Sequence, residues 1–322
     1  MFIGIDAGGT KTLAMLAGVD GQVLARGVAG PANYQSVGRE AALAALTLAA
    51  QRAVEAVGAR LEQVQAACLG AAGADRPEDR GLFEAWGAQT FPGARFRVTN
   101  DALIVLYAGT PEGWGLALIS GTGSIAYGRR PDGRLARAGG WGYLLGDEGS
   151  GYAIGVAALR AAARAADGRG PATSLLPDLL AHWQLDGPTR LIRKVYGELN
   201  GPGARAEIAR LSRLVEQAAD RGDALAEGIL REAGLELALA AAAVAAQLSD
   251  DDSAAVNANA VGIHSGETLP CALTGGVLVK GVRVRVAFLQ AAAARGLSLA
   301  PITLVPEPAL GAVRLAQELG SF

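Results

Sequence analysis

Apolar residues in this chain come in short runs separated by glycine-rich polar turns. FIGI (2–5) leads into DAGGTKT (6–12), apolar LAML follows, Asp20-Gly21 interrupts, and QVLARG (22–27) resumes. Short apolar runs bounded by such turns predict strands, and Asp-Gly between two of them predicts a tight hairpin. The series then returns as LALI (116–119), SGTGS (120–124), IAYG (125–128), Asp132-Gly133 and RLARAGG (134–140). Gly9-Thr10 and Gly121-Thr122 lie 112 residues apart, as do the two Asp-Gly pairs. Internal similarity at that separation predicts two related domains facing each other.

Helical periodicity follows each copy. Arg39 to Val57 and Gly151 to Ala166 carry apolar residues at helical spacing, and Ala206 to Leu248 predicts two helices broken near Gly222. AACLGAAG (66–73) and RFRVTND (95–101) predict strands, the latter running into a helix from Ala102, for which an N-cap is the plain structural alternative for Asp101. PCALTGGVLVKG (270–281) repeats the strand-into-glycines theme. Such alternation predicts an α/β fold with a mixed sheet in each half.

Composition narrows the function classes. Of 322 residues 51% are hydrophobic and 19% charged, with a net charge of -2, so nothing recruits nucleic acid. MFIGIDAGG lacks the basic and long apolar regions of a signal peptide, and the longest apolar run (237–248) is far short of the ~20 residues of a membrane span. A cytoplasmic protein without membrane attachment is expected. Cys68 and Cys271 lie in apolar stretches and read as buried free thiols, and His182 and His264 are isolated. A zinc site or a histidine-based triad has little to be built from. The Asp250–Asp252 run reads as a solvated helix end.

The glycine turns point to phosphate. DAGGTKT is not a P-loop, because Thr10 separates Gly9 from Lys11 and a strand follows where a P-loop requires a helix. Backbone N–H groups in such turns can approach a phosphate closely, and the Thr10 and Thr122 hydroxyls add donors. Two turns facing each other could hold the β- and γ-phosphates of ATP, with Asp6 binding Mg²⁺ directly or through water. A third stretch, GGWGYLLGDEGSG (139–151), crowds glycines around one tryptophan and two acids, a composition suited neither to a core nor to a linker. Glycines admit a ligand close to the chain, an aromatic supplies a flat wall, and a carboxylate binds hydroxyls.

The order DAGGTKT, TND, ISGTGS, LTGG resembles the sugar kinase, heat-shock-protein-70 and actin superfamily. SGTGS–PDG–GGWGYLLGDEGSGY narrows the resemblance to the N-acetylglucosamine kinase family, grouped with the BadF/BadG/BcrA/BcrD-type ATPases. PANYQSVG (31–38) and AAGADR (71–76) are similar to its early segments, and the likeness runs from Phe2 to EPALGAVRLA (307–316). One departure is Ala72, where relatives can carry serine.

The resemblance implies a two-domain actin-like (ribonuclease H-like) ATPase fold with duplicated mixed sheets and an interdomain cleft. Residues 1–106, completed by 307–322, would form one domain and 107–306 the other. It implies an ATP- and Mg²⁺-dependent kinase for the 6-hydroxyl of a small amino sugar, with N-acetylglucosamine ahead of glucosamine and N-acetylmuramic acid. A homodimer is implied as well. Asp101 would be the general base. Asn33, Asp101, Ser124, Ile125, Gly140, Trp141, Gly142 and Asp147 would meet the sugar. Gly8, Gly9, Thr10, Lys11, Gly121, Thr122 and Gly123 would meet the phosphates, with Ala219, Gly275, Gly276 and Lys280 on the adenosine side. The rival reading is the ATPase activator of a CoA-ester dehydratase or reductase, which uses cysteines to hold an iron–sulfur cluster.

Overall fold

A computed structural model describes residues 1–74, 76–201, 203–249 and 267–321. The Asp250–Asp252 run, His264 and Asp75 lie outside the described residues. The chain opens with β1 (Phe2–Ala7), β2 (Thr12–Ala17), β3 (Val23–Ala29), α1 (Tyr34–Val37) and α2 (Arg39–Glu55). β4 (Ala66–Ala71), α3 (Pro77–Thr90), β5 (Arg95–Thr99) and α4 (Asp101–Gly109) follow. Next come the repeated strands β6 (Gly115–Ser120), β7 (Ser124–Arg129) and β8 (Leu135–Gly139). The helices α5 (Gly151–Ala166), α6 (Leu175–His182), α7 (Arg190–Arg193), α8 (Ala204–Arg210), α9 (Ser212–Asp220) and α10 (Ala224–Leu248) succeed them. The described chain ends with β9 (Leu269–Thr274), α11 (Gly276–Val279), α12 (Val282–Ala294), β10 (Leu299–Val305) and α13 (Ala309–Gly320).

The duplication is visible in the strand orders. One sheet runs β3-β2-β1-β4-β5 and the other β8-β7-β6-β9-β10, so each hairpin series is extended by two later strands on the side of its first strand. In the first sheet β1 pairs antiparallel with β2 but parallel with β4, and β4 pairs parallel with β5. The strands and the helix Gly151–Ala166 lie where the pattern places them. Three helices stand where two were expected between 206 and 248, because the chain also breaks between Arg210 and Ser212.

Two compact units result: Met1–Ala117 with Pro270–Ala272 and Pro301–Phe322, and Leu118–Leu269 with Leu273–Ala300. In the first unit every residue of β2 and β4 is buried, which requires cover on both sheet faces. Leu46, Ala49, Ala53, Phe83 and Trp86, from α2 and α3, belong to one core cluster, while Leu13, Met15 and Val313 form another. α13 lies directly on β1: a Cβ on Gly4 would stand 2.3 Å from the Val313 nitrogen. In the second unit Ala162, Leu179, Leu191 and Leu211 form a cluster joining α5, α6, α7 and the α8–α9 junction. Among the described residues no helix is long and apolar enough to cross a membrane.

Candidate active site

The parallel strands of the first sheet end at one edge, and the chemistry gathers there. Asp6 is the penultimate residue of β1, in register with Gly70 of β4. β5 ends at Thr99, and Asp101 opens α4. Strand C-termini of parallel sheets are where α/β folds place ligands. α4 comes close because β4 carries glycine at its end: a Cβ on Gly70 would stand 2.5 Å from Ile104 Cδ1.

Asn100, not Asp101, caps α4: its Oδ1 accepts the Leu103 N–H at 2.7 Å. The alternative role of Asp101 as the cap is not what the structure shows: β5 ends at Thr99 and leaves Asn100 in the extended conformation that a cap requires. Asp101 is thereby spared the capping role, and it is only partly buried. Its charge acts on Asp6. Burial lifts the Asp6 carboxyl to about 7, the Asp101 charge pushes the same way, and Lys11 opposes. Two carboxylates close enough to couple, with a cation beside them, suit an ion of the Mg²⁺ type, which takes one or two protein carboxylates and fills its remaining positions with water and phosphate oxygens.

The first glycine turn adjoins this pair. The Gly8 N–H donates to the Lys11 carbonyl at 3.1 Å and closes the turn, leaving Gly9, Thr10 and Lys11 exposed. A strand, β2, follows the turn, as the rejection of a P-loop required. The Ala32 N–H donates to Gly8 O at 3.2 Å, and this bond seats the 31–34 loop, with Asn33, against the turn. Thr12 is fully buried, its hydroxyl donating to Gly30 O at 2.8 Å.

The second unit builds a larger loop cluster. Gly121 N–H donates to Gly123 O at 2.9 Å, and the Gly151 N–H at the start of α5 donates to Gly121 O at 2.8 Å. Gly275 has φ 90°, and a Cβ there would stand 2.1 Å from Ser120 O, so only glycine allows the β9 end to rest on the SGTG turn. Thr122, Gly275 and Gly276 are therefore neighbours around one turn. Ser124 is buried; its hydroxyl donates to Glu148 O at 2.6 Å and its N–H to Asp147 Oδ1 at 3.2 Å. The structure thus gives Ser124 the task of tying the loop that carries Asp147.

Asp147 is 4% exposed and holds φ 65°, a left-handed conformation that non-glycine residues seldom adopt. Burial raises its pKa, while the Ser124 N–H and Arg205 hold part of that rise back. Arg205, from the first turn of α8, donates through Nη2 to Asp147 Oδ2 at 3.1 Å. Trp141 is 64% exposed and therefore no core residue, and the Arg137 guanidinium lies 5.1 Å from its ring centroid. Tyr143, Leu144 and Leu145 are exposed beside it. A Cβ on Gly140 would stand 2.8 Å from Ile125 Cδ1, which places Ile125 against this loop. One glycine-rich loop thus exposes four large apolar side chains, Trp141, Tyr143, Leu144 and Leu145.

The residues expected on the adenosine side are more spread. Ala219 is buried near the end of α9, and its carbonyl accepts from Arg283 at 3.4 Å. Gly276 and Lys280 are exposed at the two ends of α11. Arg205 and Tyr143 were not singled out in the sequence; Arg205 stands 58 residues from its partner Asp147, and no local pattern marks it. Cys68 and Cys271 are buried, and burial pushes both thiols up to about 12, far from the thiolate form that a cluster or metal needs. No group of three or more potential metal ligands occurs among the described residues.

Residues 3–316 match the BadF/BadG/BcrA/BcrD ATPase family. The chain belongs to that family. Within it, the chain is 40% identical over 261 residues to an N-acetylmuramic acid/N-acetylglucosamine kinase of Clostridium acetobutylicum, covering 81% of this chain and 84% of that one. It is 37% identical to an N-acetyl-D-glucosamine kinase of Dictyostelium discoideum, over 72% and 75% of the two chains. Among solved structures it is similar to a protein of Chromobacterium violaceum provisionally named an N-acetylglucosamine kinase. That likeness has a TM-score of 0.71 and 29% identity, and it covers 98% of each chain. This family member therefore has the sugar-kinase fold of two duplicated mixed sheets.

Proposed function

We propose that this protein transfers the γ-phosphoryl group of ATP to the 6-hydroxyl of N-acetylglucosamine. It is a kinase acting on a sugar hydroxyl by family and by relatedness; the choice of sugar and of residues is the proposal. The observation that carries the amino-sugar reading is the 40% identity to a kinase named for two N-acetylated amino sugars. The glycine-bordered Trp141–Asp147 loop supports it with an apolar face and a carboxylate for sugar hydroxyls.

Asp101 accepts the proton of the 6-hydroxyl as its oxygen attacks the γ-phosphorus. Asn100, and not Asp101, accepts the capping bond of α4. Asp6 would hold Mg²⁺, which would supply positive charge against the phosphates. The Gly8–Lys11 and Gly121–Gly123 turns offer backbone N–H groups to the phosphates. Alignment and electrostatic stabilisation supply most of the acceleration. Cytoplasmic location and a homodimer remain part of this reading, carried by the family resemblance.

An ADP-release assay over N-acetylglucosamine, glucosamine and glucose tests the proposal. The highest kcat/KM is expected for N-acetylglucosamine. A value for glucosamine more than about tenfold higher, a gap of about 1.4 kcal/mol, would overturn the choice of sugar.

A further inference from the structure

Ser120 ends β6, and none of it is exposed. A buried hydroxyl costs free energy unless it is paired. Its partner is remote in sequence: the hydroxyl donates to Gly149 O at 2.7 Å, across 29 residues. Gly149 is held against α10 as well, with φ 73° and a site where a Cβ would stand 2.6 Å from Ala233 O. The bond is one of a series. Asp147 Oδ1 accepts the Ser124 N–H, Glu148 O accepts the Ser124 hydroxyl, and the Gly151 N–H donates to Gly121 O. At the other end of the loop the Gly140 N–H donates to Ser124 O at 3.1 Å. A Cβ on Gly123 would stand 2.9 Å from both carboxylate oxygens of Asp147, so glycine lets the turn close on the loop. The SGTGS turn and the 139–151 loop are thus laced together inside one compact unit. In the proposed function the turn meets phosphate and the loop meets sugar. Ser120 is the one side chain in this lacing that the proposed function leaves without a ligand.

We propose that Ser120 is a positioning residue that couples the two substrate sites. Its hydroxyl makes the turn and the loop order as one piece, so that nucleotide and amino sugar each tighten the binding of the other. The inference rests on the assignment of phosphate to the turn and of sugar to the loop. When two segments order together, the first ligand to arrive bears the ordering cost and the second binds without it. Linkage makes the effect reciprocal. The bond between Ser120 and Gly149 is a direct physical link of the kind such coupling needs, since it joins the two segments without touching either ligand.

The test uses a non-hydrolysable ATP analogue with Mg²⁺, N-acetylglucosamine, and three proteins: wild type, Ser120→Ala and Ser120→Thr. In calorimetry, saturating sugar is expected to tighten analogue binding to wild type about fivefold or more, with the same factor in reverse. Ser120→Ala should bring that factor within about twofold of unity, while each affinity measured alone changes less than about threefold. Ser120→Thr keeps the hydroxyl and should recover most of the factor, with melting curves showing that both variants fold. Hydrogen exchange gives a readout that needs no sugar. The analogue alone should slow exchange of the 139–151 amides about fivefold or more in wild type. Ser120→Ala should lose that protection in the loop and keep it at 121–123. A factor near unity in wild type, or one that survives in Ser120→Ala, would overturn the proposal, as would loop protection that survives. Weaker binding of each ligand alone with the factor intact would leave Ser120 a purely structural residue. If wild type bound no amino sugar, the proposed substrate would fail instead, and exchange in the loop would still decide the role of Ser120.

Discussion

Asp101 and Asp6 stand in the same unit, the proposed function gives them different tasks, and substitution would separate those tasks. Asp101→Asn keeps shape and hydrogen-bonding capacity but cannot take a proton. It should hold N-acetylglucosamine affinity within an order of magnitude while kcat falls by about 10²–10⁴, the range for a lost general base. Retention of more than about a tenth of wild-type kcat would remove Asp101 from that role. The same variant reports on Asp6. The Asp6 carboxyl stands at about 7 through burial first and the Asp101 charge second. If Asp6 holds the ion as proposed, Mg²⁺-ATP affinity should rise with pH through about 7 in wild type, as its carboxylate ionises. In Asp101→Asn the midpoint of that rise should move to lower pH, because one cause of the shift is gone. Calorimetric titrations at pH 5.5 to 8.5 read both midpoints, and an unmoved midpoint would show that the two carboxylates do not interact. Trp141 gives a third signal at this scale. It is 64% exposed and faces the Arg137 guanidinium at 5.1 Å, so a bound sugar should alter its fluorescence. A sugar-dependent change that persists in Trp141→Phe would take Trp141 out of the sugar wall.

Caps decide where elements begin, and two of them matter. Asn100 fixes the first turn of α4 and with it the position of Asp101. Asn100→Ala should cost about 0.5–2 kcal/mol in denaturant unfolding, the usual worth of an N-cap, and lower kcat as well. Asn100→Ser should recover most of both. If stability falls and kcat does not, the cap holds the helix without aiming the base. Asp223 caps α10 with its Oδ1 on Leu225 N–H and Ala226 N–H, while Oδ2 accepts from Thr173 and Ser174. Burial alone would lift this carboxyl. The Thr173 hydroxyl and the Ala226 and Ser174 N–H groups outweigh that and hold it at about 2. A depressed carboxyl adds stability that is present above its ordinary pKa and is lost as pH falls through the folded one. Asp223→Ala should therefore destabilise clearly at pH 7, and its gap from wild type should shrink between pH 4 and 2.

For the whole molecule, the raised Asp6 pKa has the opposite sign. A raised carboxyl contributes stability that is complete below pH 3.8 and is lost as pH climbs through about 7. The ligand-free protein should therefore lose stability over that window, and Asp6→Asn should not. Thermal melts at pH 4.5 and 8 test this. The variant should gain on wild type in melting temperature between the two pH values. Mg²⁺-ATP should restore wild type at pH 8 and help the variant far less, since binding to the folded state alone adds about 2.7 kcal/mol at a hundred times Kd. Equal melting shifts for both proteins would mean that Asp6 carries neither the strain nor the ion.

Much of this protein can be read from local pattern, because its elements are short and sharply punctuated. The 112-residue repeat of Gly-Thr and Asp-Gly pairs shows two hairpin series, since turns depend on the few residues that adopt them. GGWGYLLGDEGS reads as a surface loop and not a core segment, because a run of glycines with an aromatic residue suits no core, and Trp141 is indeed exposed. Other features depend on residues that meet only after folding. Asp6 and Asp101 become coupled because β1 and β5 run parallel in one sheet and end at one edge. Asn100 takes the cap because β5 ends at Thr99, a boundary set by its pairing with β4. Arg205 reaches Asp147 only because α8 packs near the start of α5, and nothing within 58 residues of sequence announces that contact. Local preferences of single residues chose the turns and strands. The charges that now press on one another were brought together by packing, which no short window of sequence contains.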